Sequence, residues 1–204
     1  MLLNKVFPEG IDFEAYLAYT RSVLKSPNPQ KPYDNPKILK YTEENLKRME
    51  ELMQNIALDK KLYHLLSANP RKLKWIVLTE PWCGDAAQIV PLLAAMANTS
   101  DNIFFTILLS DSHPDILDNY LTNGSRSIPK LICIDEQTNE ELGTWGPRPQ
   151  RLQQLVIENK NRTDIPFSEK VKMVHEWYNQ NKTRDIQKEF IDLMMRWTKP
   201  DLLQ

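Results

Sequence analysis

Three short runs constrain this chain more than any other feature: WIVLTE (75–80), IFFTILLS (103–110) and KLICID (130–135). Each is nearly continuous in apolar, often branched side chains, so each reads as a strand buried on both faces, without the alternation of a half-wet sheet. A fourth run, ELGTW (141–145), follows the third across EQTNE, a spacing that predicts a hairpin. Helical patterns lie between them, from about Asp85 to Asn98, from Pro114 to Thr122 and from Pro149 to Asn159. The order strand, helix, strand, helix, strand, strand, helix pairs the first two strands through a helical crossover and the last two antiparallel. The expected fold class is α/β: a four-stranded mixed sheet flanked by helices.

Helical segments extend this unit at both ends. Phe13, Tyr16, Leu17, Thr20, Val23 and Leu24 recur at helical spacing, and SPNPQKPYDNP (26–36), with four prolines in eleven residues, reads as loop. A second helix is expected from Thr42, with Leu46, Met49, Leu52, Met53 and Ile56 on one face, and a third from Leu58 to Ser67. After residue 162 come two more, with Ser168 and Thr183 as expected N-caps and apolar faces at Val171, Val174 and Tyr178 and at Phe190, Leu193, Met194 and Trp197. The chain therefore divides into an N-terminal helical extension (1–70), a sheet domain (71–162) and a C-terminal helical pair (163–204). The pair is expected to pack on the sheet and the N-terminal helices, with a homodimer interface as the alternative.

Charge and composition exclude several classes of function. The 26 Lys and Arg are balanced by 27 Asp and Glu scattered along the chain, which leaves no electrostatic footprint for nucleic acid. The longest apolar runs fall far short of a membrane span. MLLNKVFPEG lacks the basic and apolar regions of a secretion signal, so a cytoplasmic protein is expected. Two cysteines, Cys83 and Cys133, rule out a disulfide framework, and His64, His113 and His175 are unpatterned; neither metal nor other cofactor is expected.

The residues that carry chemistry sit just after the first strand, where Trp82-Cys83-Gly84 opens a helix. Pro91 lies eight residues beyond Cys83, Ile128-Pro129 stands before the third strand, and Gly146 closes the strand pair. From about Leu73 to Lys160 the chain resembles the thioredoxin family, whose active site is a Trp-Cys-Gly-Pro-Cys turn at that place. The resemblance implies a thioredoxin-like fold, with Cys83 as the attacking thiol and Pro129 as a cis-proline. It also implies Trp82, Gly84, Asp85, Ile128 and Pro129 as the groups that meet a protein or small-thiol disulfide substrate.

Two departures bear on activity. Ala86 stands where the family has its resolving cysteine, and Val77 where it has a buried aspartate, so the dithiol cycle is absent as a unit. Cys83 would need an external thiol to release a mixed disulfide. Cys133, mid-strand in an apolar run, reads as inert core. Asp85 and Gln88 fit a capping box, which would occupy the amides that otherwise acidify the thiol. Glu80 reads as an exposed carboxylate and His113 as a loop residue. Arg126 reads as a solvated loop arginine that could hold a carboxylate, Trp82 as a partly exposed aromatic beside the thiol, and Trp145 as either core or part of the same edge. Cluster binding by two copies is disfavoured, because the turn differs from the type used for that purpose. Two functions remain: monothiol thiol-disulfide exchange through Cys83, favoured by the retention of Trp-Cys-Gly beside Ile-Pro, and a non-catalytic binding module using the groove beside Trp82 and Pro129.

Overall fold

Alternation along the strands sorts the core into two layers. In the computed structural model, which describes residues 2–198, β1 (Leu73–Thr79), β2 (Ile103–Leu109), β3 (Lys130–Asp135) and β4 (Glu141–Trp145) form one sheet in the order β2-β1-β3-β4. β1 and β2 are parallel, while β1 with β3 and β3 with β4 are antiparallel. Leu73, Trp75, Val77, Leu131 and Cys133 enter the larger core, and Ile76, Leu78, Ile132 and Ile134 enter the smaller one on the opposite face. Side chains of period two on a sheet buried both ways require this division.

The larger core is covered by helices from three parts of the chain. The first part contributes α2 (Phe13–Lys25), α3 (Pro36–Asn55) and α4 (Lys60–Ser67); the middle contributes α5 (Gly84–Ala97) and α7 (Gln150–Lys160); the last contributes α8 (Phe167–Asn181) and α9 (Arg184–Trp197). α5 is apolar almost all round because it is buried almost all round, between the sheet and α3. Pro91 lies inside it without ending it. α9 is fastened by an aromatic cluster in which Phe190 packs on Trp75 and Trp145 at ring-centroid separations of 5.5 and 5.3 Å, and Trp197 stands edge-on to Trp75 at 6.2 Å. Gln187 reaches from α9 to the start of α4, accepting from the Asp59 amide at 2.6 Å and donating to the Ala57 carbonyl at 3.0 Å. The smaller core is thinly covered, by α1 (Leu2–Val6) through Leu3 and Val6 and by α6 (Pro114–Leu117) through Ile116 and Leu117.

Several local expectations are corrected. α3 begins at Pro36, one turn and a half before Thr42, because Asn35 caps it from the end of the proline-rich stretch, accepting from the Lys37 amide at 3.0 Å. Proline at the first helical position is compatible with that start. Thr42 is instead a buried mid-helix residue whose hydroxyl donates to the Ile38 carbonyl. α4 starts at Lys60, capped by Asp59. α6 is only four residues long, since the chain turns away into the Thr122–Ser125 bridge, where Asn123 and Gly124 both have positive φ. α8 begins at Phe167, ahead of Ser168, and Thr183 is in the left-handed region, where its side chain caps no amide. Asn181 does that work for α9, accepting from the Asp185 amide at 3.0 Å. The short α1, absent from the sequence reading, forms because Leu3 and Val6 cover sheet side chains.

Among the described residues no helix is long and apolar enough to cross a membrane.

Candidate functional site

Cys83 is the N-cap residue of α5, placed there by the turn that leaves β1 at Thr79; its amide closes that turn on the Glu80 carbonyl at 3.0 Å. The side chain is 8% exposed, and Sγ donates to the Ile128 carbonyl at 3.4 Å. Ile128 and Pro129 are joined by a cis peptide bond, and the Cys83–Ile128 contact sets the loop before β3 against the turn after β1. Gly146 locks this corner from behind. A Cβ there would lie 2.3 Å from the Pro129 carbonyl oxygen, and its φ of +111° is one that other residues rarely adopt.

The electrostatics oppose a thiolate. Burial pushes the Cys83 thiol up to about 12, and the Asp85 charge adds to the shift; the amides of Ala86 and Asp85 and the Arg148 guanidinium pull the other way without winning. The helix N-terminus is thus present, but a sulfur shut away from water gains too little from it.

The expected capping box does not form. Asp85 lies one residue inside the helix and turns its carboxylate outward from the helix end, accepting from the Tyr178 hydroxyl at 2.9 Å through Oδ1 and pairing with the Arg148 guanidinium at 2.6 Å through Oδ2. The physical reason is competition: a buried carboxylate gains more from a guanidinium and a phenol than from its own helix amides. Burial still pushes the Asp85 carboxyl up from its ordinary value, with Arg148 and Tyr178 opposing.

Glu80 is a further correction, because it is buried, not exposed, at 2%. Its Oε1 accepts from the Asp111 amide at 2.8 Å and the Ser110 hydroxyl at 3.3 Å, and its Oε2 from the Tyr33 hydroxyl at 3.3 Å. No cation pairs with it among the described residues, and burial raises its carboxyl to about 7. It ties the proline-rich loop and the end of β2 to the back of the cysteine turn.

A cleft of about 620 Å³ opens over the turn, with Trp82, Cys83, Gly84 and Asp85 along its floor and Arg126 to Ile128 along one edge. Its remaining walls come largely from the helical extensions. α3 supplies Tyr41, Asn45 and Arg48, α7 supplies Leu155 and Val156, and α8 supplies Phe167, Val171, Val174 and His175. His175 Nε2 would be 3.8 Å from a Cβ at Gly84, so α8 crosses directly above the start of α5. Asn45 donates to the Pro81 carbonyl at 3.0 Å and accepts from Arg48 at 2.9 Å, fixing α3 to the same turn.

The structure therefore brings Trp82, Cys83, Gly84, Asp85 and Ile128 together around one opening, with Pro129 buried immediately behind. Arg126 lies on the rim but is held by Asp118 in a two-point ion pair with both contacts at 2.6 Å. Trp145 is core, packed on Phe190 with its indole N–H donating to Glu189 at 2.7 Å. His113 lies beyond β2, its Nδ1 2.9 Å from the Leu109 carbonyl, away from the cleft. Cys133 is fully buried, and burial raises its thiol. Among the described residues no group of three or more His, Cys, Asp or Glu side chains is placed to hold a metal.

Sequence reasoning missed Tyr178, Arg148, His175 and Arg48. Tyr178 was visible only as a member of an apolar stripe, and Arg148 only as the residue between two prolines. Nothing local in the sequence marks His175 or Arg48.

A family model described as Thioredoxin matches residues 32–164, more than half of the chain. No curated protein matches. Among solved structures, a Pseudomonas aeruginosa protein of unknown function is similar with a TM-score of 0.61 at 17% identity, over 93% of this chain and 95% of its own. An HIV epitope-scaffold is similar with a TM-score of 0.60 at 18% identity, over 94% and 96%. These likenesses show a shared fold that includes both helical extensions.

Proposed function

Since the chain belongs to the thioredoxin family, we propose that it works as a thioredoxin-fold binding module, whose ligand occupies the cleft above Trp82, Cys83 and Ile128. The observation that carries this reading is the state of Cys83: buried, donating to the Ile128 carbonyl, and raised to about 12. A thiol of that acidity is neutral at physiological pH, and thiol-disulfide exchange needs the thiolate. Ala86 adds to the case, since no second sulfur waits in the turn. Cys83 then acts as a small, mostly apolar side chain that fastens the two loops of the floor.

Monothiol exchange is the second reading. Its support is the Ala86 and Asp85 amides that face the sulfur and lower its pKa; a movement of α8 that admits water would let them act.

The two readings separate by alkylation of the intact protein with iodoacetamide at neutral pH, read by mass. On the binding reading Cys83 reacts roughly a hundredfold or more slowly than free cysteine, in proportion to its thiolate fraction, and takes up no glutathione from the oxidised form. Reaction faster than free cysteine, or a stable mixed disulfide at Cys83, overturns it in favour of exchange.

A further inference from the structure

The charges around the cleft do not balance. Asp85 is neutralised by Arg148, and Arg126 by Asp118. Glu44, also in the lining and one turn before Arg48 on α3, faces Lys40 at 3.8 Å. That leaves Arg48, Lys160 and Lys170, none of which has a carboxylate of the described residues within ion-pair distance. The Lys170 ammonium donates only to the Lys160 carbonyl, at 3.2 Å. Arg48 is the informative one, for its guanidinium is half-buried in the cleft wall and its one hydrogen bond goes to the uncharged Asn45. Glu44 and Glu51 act on it only from a distance along its own helix. A half-buried cation with no carboxylate in contact is costly unless a ligand brings one. His175 adds no further positive charge at neutral pH, because burial and Arg48 lower its pKa.

Much of the rest of the lining is apolar or aromatic, with Trp82 in the floor, Leu155 and Val156 from α7, and Phe167, Val171 and Val174 from α8, beside the polar Ser127 and Asn159. Phe167 is 75% exposed, an unusual place for a phenylalanine with nothing packed over it. The volume suits a small molecule. The Ile128 carbonyl accepts from the Cys83 thiol, so an extended peptide would have to share that acceptor.

We propose that this cleft binds a small organic anion with an apolar body, its carboxylate or sulfonate against the Arg48 guanidinium and its body between Trp82 and the Val171–Val174 face of α8. The proposal rests on the binding-module reading and adds the chemistry of the ligand.

A matched pair of dyes tests it: 1-anilinonaphthalene-8-sulfonate, and N-phenyl-1-naphthylamine, which is the same body without the sulfonate. Both are titrated by fluorescence into the unmodified protein and into Arg48→Gln, Arg48→Lys and Val174→Trp, each checked for an unchanged thermal melt. The sulfonate should bind at one site per chain and weaken roughly tenfold in Arg48→Gln, as loss of a charge-assisted contact requires, while Arg48→Lys retains most of the affinity. The neutral dye should bind more weakly and be indifferent to both Arg48 changes, and Val174→Trp should exclude both. Equal affinity for the two dyes, or a sulfonate site insensitive to Arg48, overturns the anion assignment and leaves the cleft a neutral apolar site. If neither dye binds, or if binding ignores Val174→Trp, the cleft is not their site and the binding-module reading falls with the proposal.

Discussion

The Tyr178 hydroxyl, on α8, donates to Oδ1 of Asp85, in the first turn of α5, at 2.9 Å. This one bond joins the last third of the chain to the residue two positions after the cysteine, and it gives α8 a fixed height above the thiol. Tyr178→Phe should cost about 1–2 kcal/mol, the price of a buried acceptor that loses a donor. It should also speed alkylation of Cys83 as α8 loosens. Urea unfolding reads the first effect and the alkylation rate the second; an unchanged rate would show that α8 is not what shields the sulfur.

Arg148→Gln should be more damaging, by about 3 kcal/mol, because it strands a buried carboxylate without its cation. The sign of the pH dependence follows from Asp85. Its pKa is already raised by burial and rises further when Arg148 is gone, so the variant is worst off where Asp85 must stay charged. Its deficit against the parent should therefore shrink as pH falls and Asp85 takes up a proton. Denaturant midpoints of the two proteins at several pH values check this; a constant deficit would contradict it.

Glu80 makes a prediction of the same kind without a paired cation. Its carboxyl ordinarily titrates near 4.5 and is raised to about 7 in the folded chain, so between those values the folded state holds the proton more tightly. Stability from this group is full below 4.5 and is lost as pH rises through 7, by roughly 3 kcal/mol. The groups that face it are Tyr33, Ser110 and the Asp111 amide and side chain, with Tyr16 and Tyr19 nearby. Glu80→Gln should flatten the fall in unfolding free energy between pH 5 and pH 8.

Gly146→Ala tests the corner behind the floor. The added methyl would meet the Pro129 carbonyl at 2.3 Å on a backbone that alanine rarely adopts, so a loss of roughly 3 kcal/mol or more is expected. A melting temperature within a degree of the parent would show that the corner relaxes at no cost.

Phe190→Ala removes the ring that packs on both Trp75 and Trp145, and should cost about 3–5 kcal/mol. If α9 were a loosely attached appendage, the loss would be under 1 kcal/mol by chemical denaturation.

The strands were legible because WIVLTE, IFFTILLS and KLICID owe their character to burial on both faces, and the structure buries them on both. The cysteine turn was legible because three residues and two prolines stand at fixed offsets. What escaped depends on residues far apart in the chain. Glu80 is buried only because Tyr33, from a loop 47 positions earlier, and Ser110, 30 positions later, close over it. Asp85 leaves its own helix end only because Tyr178 and Arg148 are within reach. Thr183 looked like a cap, yet the chain enters the left-handed region there and Asn181 takes the role. For Glu80 and Asp85 a local preference was overridden by tertiary partners that no window of ten residues contains; at Thr183 the left-handed turn of the backbone decided it.

The floor and one edge of the cleft belong to residues 82–85 and 126–128, whereas much of its wall belongs to residues 41–48 and 167–175, on either side in the chain. The opening exists only while both flanking segments are docked. Whatever fills it binds the docked arrangement and not a frayed one, so its binding free energy is returned as cohesion between the two ends of the molecule. Occupancy should be audible far from the cleft, in slower hydrogen exchange at the amides of α3 and α8.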